Sequence, residues 1–337
     1  MERLPPAAGA TLARGGRRRA FPPHECVLTP FAAHADWSVD AGKRWMALAT
    51  PEASGWAVHV APVGSLATLL TRLRAWAGEA PLALGVDFPI GLPRNYAARH
   101  AAGVAGFPEF LRALDATHAF FQVCASLEDV CAARPFYPMR GVRGMTRLSH
   151  AKALGLDGAA GLSRACDRAT ADRPAGAPLF WTLGANQVGK AAVTGWRDLL
   201  LPALAGPAPP ALWPFDGALL PLLAPGRTVV AECYPAEAMR QLGLTMGGSK
   251  RRQADRQALG PALHVRLAAL NARPDPALAA RIGTGFGPAP SGEDAFDCLL
   301  GLLGLLGVLT RRRADTVPDD PWVRRWEGWV LGQSVPA

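Results

Sequence analysis

PLALGVDFPIGLP, residues 81–93, is the stretch on which the fold turns. It is almost wholly apolar up to Asp87, and then the proline- and glycine-rich loop Pro89–Pro93 begins. A short apolar run closed by turn residues is what a central strand with both faces covered requires. Just upstream, Leu66, Leu69, Leu70, Leu73 and Trp76 recur at helical spacing behind Ser65, a residue suited to an N-cap. Further upstream, Ala32–Ser38 and Arg44–Thr50 flank a turn at Val39–Lys43 and read as a hairpin, and Gly55–Val63 alternates as a third strand. Three meandering strands, a helix and then a buried strand describe a mixed sheet with a helical crossover to a parallel neighbour.

Downstream, residues 101–224 are less regular, with helices expected near 107–116 and 188–204, and read as a largely helical insertion. The core resumes with a strand at Arg227–Cys233, a helix at Ala236–Leu242, a longer helix near 251–272 and another at Glu293–Leu309. Trp322, Trp326 and Trp329, at helical spacing, are expected to dock a terminal segment on the core. The expected organisation is a flexible Arg/Pro-rich tail (1–28), a first part of the core (29–100), the insertion (101–224), a second part of the core (225–311) and a docking segment (312–337). The core is then an α/β unit with a mixed five-stranded sheet flanked by helices.

Half of the 337 residues are hydrophobic, which excludes global disorder. The longest apolar run, Cys298–Leu309, is short of the roughly 18–20 residues of a membrane span, so no membrane association and no leader segment are expected. The net charge of +9 points weakly towards polyanions. Lysine occurs only at Lys43, Lys152, Lys190 and Lys250, so most of the basicity is arginine, in a chain also rich in Ala, Gly and Pro. The six cysteines form no C-x-x-C pair, as expected of buried thiols in a cytoplasmic protein. No nucleophile–histidine set is readable, and no nicotinamide or flavin cofactor is expected.

The acids carry more information. Asp36 lies near the end of the first strand, Asp87 ends the fourth, and Glu232 ends the fifth. Asp294 and Asp297 share one face of the last core helix at i, i+3. Right-handed crossovers would make strands one, four and five parallel and bring their carboxyl ends to one sheet edge. Clustered carboxylates cannot all ionise without a cation, and oxygen-rich sites prefer Mg²⁺ or Mn²⁺. Two such ions about 4 Å apart can support phosphodiester cleavage without a nucleophilic side chain. Each acid also has a plain structural reading: a turn, a loop cap, a helix N-terminus or, for Glu232, a pair with an arginine.

Asp36-Trp-Ser38, Gly85–Pro93, Glu232–Ala236 and Glu293–Asp297 together resemble the domain-of-unknown-function 429 family of ribonuclease H-like nucleases. The resemblance runs from about residue 31 to the final tryptophans. It implies a ribonuclease H-like fold and metal-dependent nucleic-acid cleavage. Asp36, Asp87 and Asp297 would be the metal ligands, with Glu232 and Asp294 as further catalytic carboxylates. The chain departs from better-known ribonuclease H enzymes in having no acid within the first crossover helix, Glu79 lying beyond it.

Lys190, Lys250, Arg251 and Arg252 are candidate substrate-phosphate contacts. Gly184–Lys190 matches the start of a P-loop, but Ala191 stands where Ser or Thr should hold Mg²⁺, and no good strand precedes it. Arg134, Arg140, Arg143, Arg147 and Lys152, interleaved with Phe136 and Tyr137, suit single-stranded or looped nucleic acid, the plain alternative being a basic loop in an arginine-rich chain. Two other classes remain open: a phosphotransferase or ATPase of the related actin/sugar-kinase type, with the Gly42–Arg44 turn near phosphate, and a non-catalytic nucleic-acid-binding module.

Overall fold

The computed structural model describes residues 28–335, except 172 and 185–187. The expected tail lies, apart from its last residue, outside the described residues, as does the centre of the Gly184–Lys190 motif. Among the described residues, seven strands form one sheet: β1 (Phe31–Ala35), β2 (Trp45–Glu52), β3 (Gly55–Pro62), β4 (Leu82–Val86), β5 (Ala211–Leu212), β6 (Thr228–Glu232) and β7 (Ala272–Pro274). Their order across the sheet is β5-β6-β4-β1-β2-β3-β7. β2 runs antiparallel to β1 and β3, whereas β1, β4, β6 and β5 are mutually parallel.

The five strands expected from the sequence form the centre of this sheet, and the two edges correct the count. β5 comes from the insertion, which therefore completes the sheet as well as covering it. β7 lies where a helix was expected to end. The expected helix near 251–272 divides into Gln253–Ala258 and Gly260–Ala269, with Gly260-Pro261 at the break. Pro261 has no amide hydrogen to continue the first helix but is accommodated in the first turn of the second. The chain then passes through Asn271, at φ 53°, and pairs with β3.

The crossover helix also starts differently. Residues 66–68 form a 3₁₀ turn and the α-helix runs from Leu69 to Ala77; the Ser65 side chain makes no capping bond. At the C-terminus, Val323–Glu327 is a π-helical turn that ends at Gly328, so Trp329 lies beyond it. Trp326 and Trp329 are buried, and Trp322 is partly exposed.

Strand alternation divides the core into two layers. Phe31, Ala33 and Ala35 of β1, with Leu82, Leu84 and Val86 of β4, face the insertion and the crossover helix. Ala32 of β1, Ala47 and Ala49 of β2, and Ala83 of β4 face the other way, against helix 291–309. That helix is buried over most of its length. The residues beneath it are small, which lets it lie close to the sheet. At Gly301 an added Cβ would stand 2.2 Å from the His34 ring, and at Gly85 one would stand 2.9 Å from the same ring. His34 is buried and hydrogen-bonded from Nε2 to the Cys233 carbonyl at 3.0 Å. Its burial lowers its pKa to about 4, so it is a neutral spacer near neutral pH.

Gly301→Ala should therefore destabilise the protein by at least about 2 kcal/mol, through overpacking, despite alanine's better helix propensity. Gly307→Ala, on the same helix with open space at its Cβ, should be neutral or stabilising by up to about 1 kcal/mol. Urea unfolding of the two variants makes the comparison, and equal effects would remove close packing at His34 as the cause.

Candidate functional site

The parallel ladder continues one residue past the strand ends. The Asp87 amide donates to the Ala35 carbonyl at 3.1 Å, and the Cys233 amide donates to the Val86 carbonyl at 2.9 Å. In register, Ala35 pairs with Val86 and Val86 with Glu232. Asp36 and Asp87 are thus neighbours at one level, with Cys233 as the third member. Alternation turns these three side chains towards helix 291–309, and it turns Glu232 to the opposite face, towards the insertion.

On the helix side, Asp294 and Asp297 occupy the first turns of helix 291–309 above Asp36 and Asp87. Asp36 and Asp87 lie within hydrogen-bond reach of each other. Asp36 and Asp297 are buried. Burial, followed by the charges of Asp87, Asp297 and Asp294, holds the Asp36 carboxyl well above its usual range. Burial and Asp297 push Asp87 up to about 7, and burial with Asp297 and Glu293 pushes Asp294 up to about 6. Asp297 is raised by burial even though Lys250 opposes the shift. Two buried oxygens in this group, Asp297 Oδ1 and Asp294 Oδ2, have no hydrogen-bond partner among the described residues.

Two lysines face the cluster. Lys250 pairs with Asp297 and stands 3.6 Å from Glu293. Lys43, on the turn between β1 and β2, is exposed and its charge acts on Asp294. Lys43 belongs to the Gly42–Arg44 turn expected near phosphate, and Glu293 opens the Glu293–Asp297 motif, but neither is among the acids and phosphate contacts expected at the site. Arg44, next to Lys43, is no phosphate contact. Arg44 is buried, donates to the Ser38 and Val39 carbonyls at 2.5 and 3.0 Å, and lies 5.4 Å from the Trp37 ring centre.

Glu232 sits apart from the aspartates. Its two oxygens accept from Arg164 at 2.6 and 2.7 Å, and Oε2 also accepts from the Ile90 amide at 2.7 Å. Arg164 is fully buried and also donates to Asp167, to the Ile90 and Glu327 carbonyls, and to the Tyr234 hydroxyl. Cys166, Asp167 and Glu232 form, among the described residues, the only set of three ligand-type side chains whose donor atoms all lie within 4.8 Å. The Arg164 guanidinium already satisfies both acids of that set, and burial raises the Cys166 thiol well above its usual range, against thiolate formation. This is a structural ion cluster, and it fixes the loop after Asp87. The four aspartates are spread more widely than such a set.

The remaining candidates are placed as follows. Lys190 is half-buried in helix Val188–Gly195, one turn before Thr194, whose hydroxyl accepts from the Trp37 indole at 3.0 Å. The sequence around Leu179–Leu183, which a P-loop would need as a strand, carries only an isolated bridge from Trp181 to Tyr137. Arg251 is exposed, and Arg252 is exposed and paired with Asp255 at 2.6 Å. Phe136 and Tyr137 are buried, which corrects the expectation that they interleave a single-strand surface. Burial leaves no ring face for a base. Arg140, Arg143, Arg147 and Lys152 of that stretch are exposed.

Among the described residues, no helix is long and apolar enough to cross a membrane. No family model, curated protein or solved structure matches this chain.

Two predictions follow from the contrast between the clusters. The raised carboxyls make the ion-free protein less stable as the pH rises. Their stabilising contribution is fully present below the ordinary carboxylate pKa near 3.8, and it is lost as the pH climbs through about 6–7. Asp36→Asn should remove part of that loss, gaining at least about 1 kcal/mol at pH 8 and little at pH 4, as read by chelator-treated urea unfolding. A gain that does not depend on pH would contradict the repulsion. Arg164→Met should cost about 3–5 kcal/mol by leaving Glu232 and Asp167 buried without a counter-charge. Adding Glu232→Gln to that variant should recover part of the loss, and a double variant that is additive in its defects would sever the link between them.

Proposed function

We propose that the chain is a metal-dependent phosphodiester hydrolase, a nuclease built on a ribonuclease H-like core that uses Mg²⁺ or Mn²⁺. The observation that carries this reading is the convergence of Asp36, Asp87, Asp294 and Asp297 at one edge of the sheet with two buried carboxylate oxygens unpartnered. Four carboxyls raised by burial, three of them also by neighbouring aspartates, form a donor set of hard oxygens, the chemistry that Mg²⁺ and Mn²⁺ prefer. The strand order β3-β2-β1-β4-β6, with β2 antiparallel, accords with the resemblance to the domain-of-unknown-function 429 nucleases.

Asp36, Asp87 and Asp297 would hold the cation, and Asp294 would complete or orient the site. A divalent ion held there would supply Lewis-acid polarisation of a phosphoryl oxygen and would acidify water. Lys43 and Lys250 flank the acids and would receive substrate phosphates, with Arg251 and Lys190 further out. Glu232, expected as a further catalytic carboxylate, would instead act at a distance: with Arg164 it holds the Ile90 amide and so fixes the loop that carries Asp87. Because the ligands must lose their protons, cation binding should strengthen as the pH rises from about 6 to about 8.

The test is cleavage of single- and double-stranded DNA and RNA with Mg²⁺ or Mn²⁺. Asp87→Asn and Asp297→Asn should each lower the rate by at least about a hundredfold while keeping the wild-type melting temperature or raising it. Cleavage that survives both substitutions, or no cleavage under any condition, would sink the nuclease reading. Stabilisation by a nucleoside triphosphate without cleavage would favour the phosphotransferase alternative, for which the charge of Lys43 acting on Asp294 is the supporting observation.

A further inference from the structure

Lys250 stands out once the acids are placed. Its backbone is fixed: the buried Arg256 guanidinium donates to the Lys250 carbonyl at 2.5 Å and to the Gly285 and Gly287 carbonyls at 2.9 and 2.7 Å. Those bonds tie the lysine loop to the segment that leads into helix 291–309. The side chain is free by comparison, with 46% of it exposed. Its ammonium pairs with Asp297 Oδ2 and lies 3.6 Å from Glu293, and its charge reaches Asp36, Asp87 and Asp294. The other Asp297 oxygen is one of the two unpartnered atoms. The cluster thus holds one cation of its own and still has carboxylate oxygens unmatched.

Resting on the nuclease reading, we propose that Lys250 is a built-in counter-cation that couples divalent-ion binding to polyanion binding. In the ion-free protein the ammonium neutralises Asp297 and competes with a divalent ion for it. An ion at Asp297 repels the ammonium, and like charges a few ångströms apart interact strongly in a partly buried setting. The four-carbon stem lets the ammonium leave while Arg256 keeps its Cα in place. The displaced charge then lies at the rim of the acid cluster, where a phosphate of a bound strand would meet it. A bound polyanion in turn draws Lys250 away from Asp297 and opens that carboxylate to the ion. Such coupling must be reciprocal. The same residue thereby keeps the ion weakly held until a polyanion arrives.

The experiment is isothermal titration of Mn²⁺ into the full chain, alone and saturated with a short single-stranded oligothymidylate. For the wild type, oligothymidylate should raise Mn²⁺ affinity by about tenfold, a typical size for coupling between two sites. Lys250→Met should bind Mn²⁺ about tenfold more tightly than the wild type without oligothymidylate, and oligothymidylate should then add less than about twofold. Lys250→Arg keeps the charge and should retain the wild-type pattern, which separates charge from packing. Unchanged or weaker Mn²⁺ binding by Lys250→Met, or an oligothymidylate effect that persists in it, overturns the role of Lys250 and leaves the metal site standing. An oligothymidylate effect missing from the wild type also overturns the coupling. Failure of the wild type and Lys250→Met alike to bind Mn²⁺ overturns the nuclease reading together with this proposal.

Discussion

The close approach of helix 291–309 to the sheet is the constraint on which the rest of the structure depends. A helix this apolar can be buried against strands only if the strand residues under it are small and the helix itself is notched. Ala32, Ala47, Ala49, Ala83 and Gly85 satisfy the first condition, and Gly301 over His34 satisfies the second. The consequence reaches the helix's first turns. Because the body of the helix is seated low on β1 and β2, Asp294 and Asp297 are carried to the height of Asp36 and Asp87. Apolar packing along the body of the helix thus holds together carboxyls that repel one another at its end. Burying the apolar residues of the helix contributes on the order of 1.5–3 kcal/mol per large side chain, enough in sum to outweigh that repulsion.

The electrostatic outcome follows from where the counter-charges are. Around the aspartate cluster, Lys250 and Lys43 act on the acids and are substantially exposed, while the buried Arg256, which also acts on Asp297, is committed to three backbone carbonyls. An exposed ammonium in contact with solvent neutralises a buried carboxylate only in part. The remaining imbalance is expressed as protonation, with Asp87 near 7 and Asp294 near 6. A cation bound there would relieve repulsion that the fold otherwise sustains.

Much of this was legible in the sequence, and the limits have physical causes. The central strands and the crossover announce themselves because their apolar periods are long and cleanly closed by turn residues. Asp36, Asp87, Asp294 and Asp297 were placed by strand ends and helical spacing alone. β5 and β7 were not legible, because strands of two and three residues carry too little pattern, and edge pairing is decided by what the rest of the fold leaves open. Phe136 and Tyr137 looked available to a ligand because their neighbours are basic. The insertion folds them into the aromatic core with Phe120, Phe180 and Trp181 instead. Glu232 illustrates the sharper limit. Its position at a strand end was right, but the face it points to depends on register, and a one-residue offset reverses the face.

That offset divides the acids at the end of the sheet into two populations with opposite physical histories. Glu232 and Asp167 share a buried guanidinium whose donors also bind the Ile90 and Glu327 carbonyls. Every charge there has a partner, and the cluster ties the Asp87 loop to the C-terminal segment. On the other face the aspartates keep unpartnered oxygens and raised pKa values. The fold had an equally buried way to compensate acids, and it uses that solution a few residues away. Carboxylates left unmatched beside a matched pair are costly for stability, and the cation of the proposed site would supply the match they lack. This comparison favours the aspartate face over the Cys166–Asp167–Glu232 set as the functional one, even though the latter is the more compact.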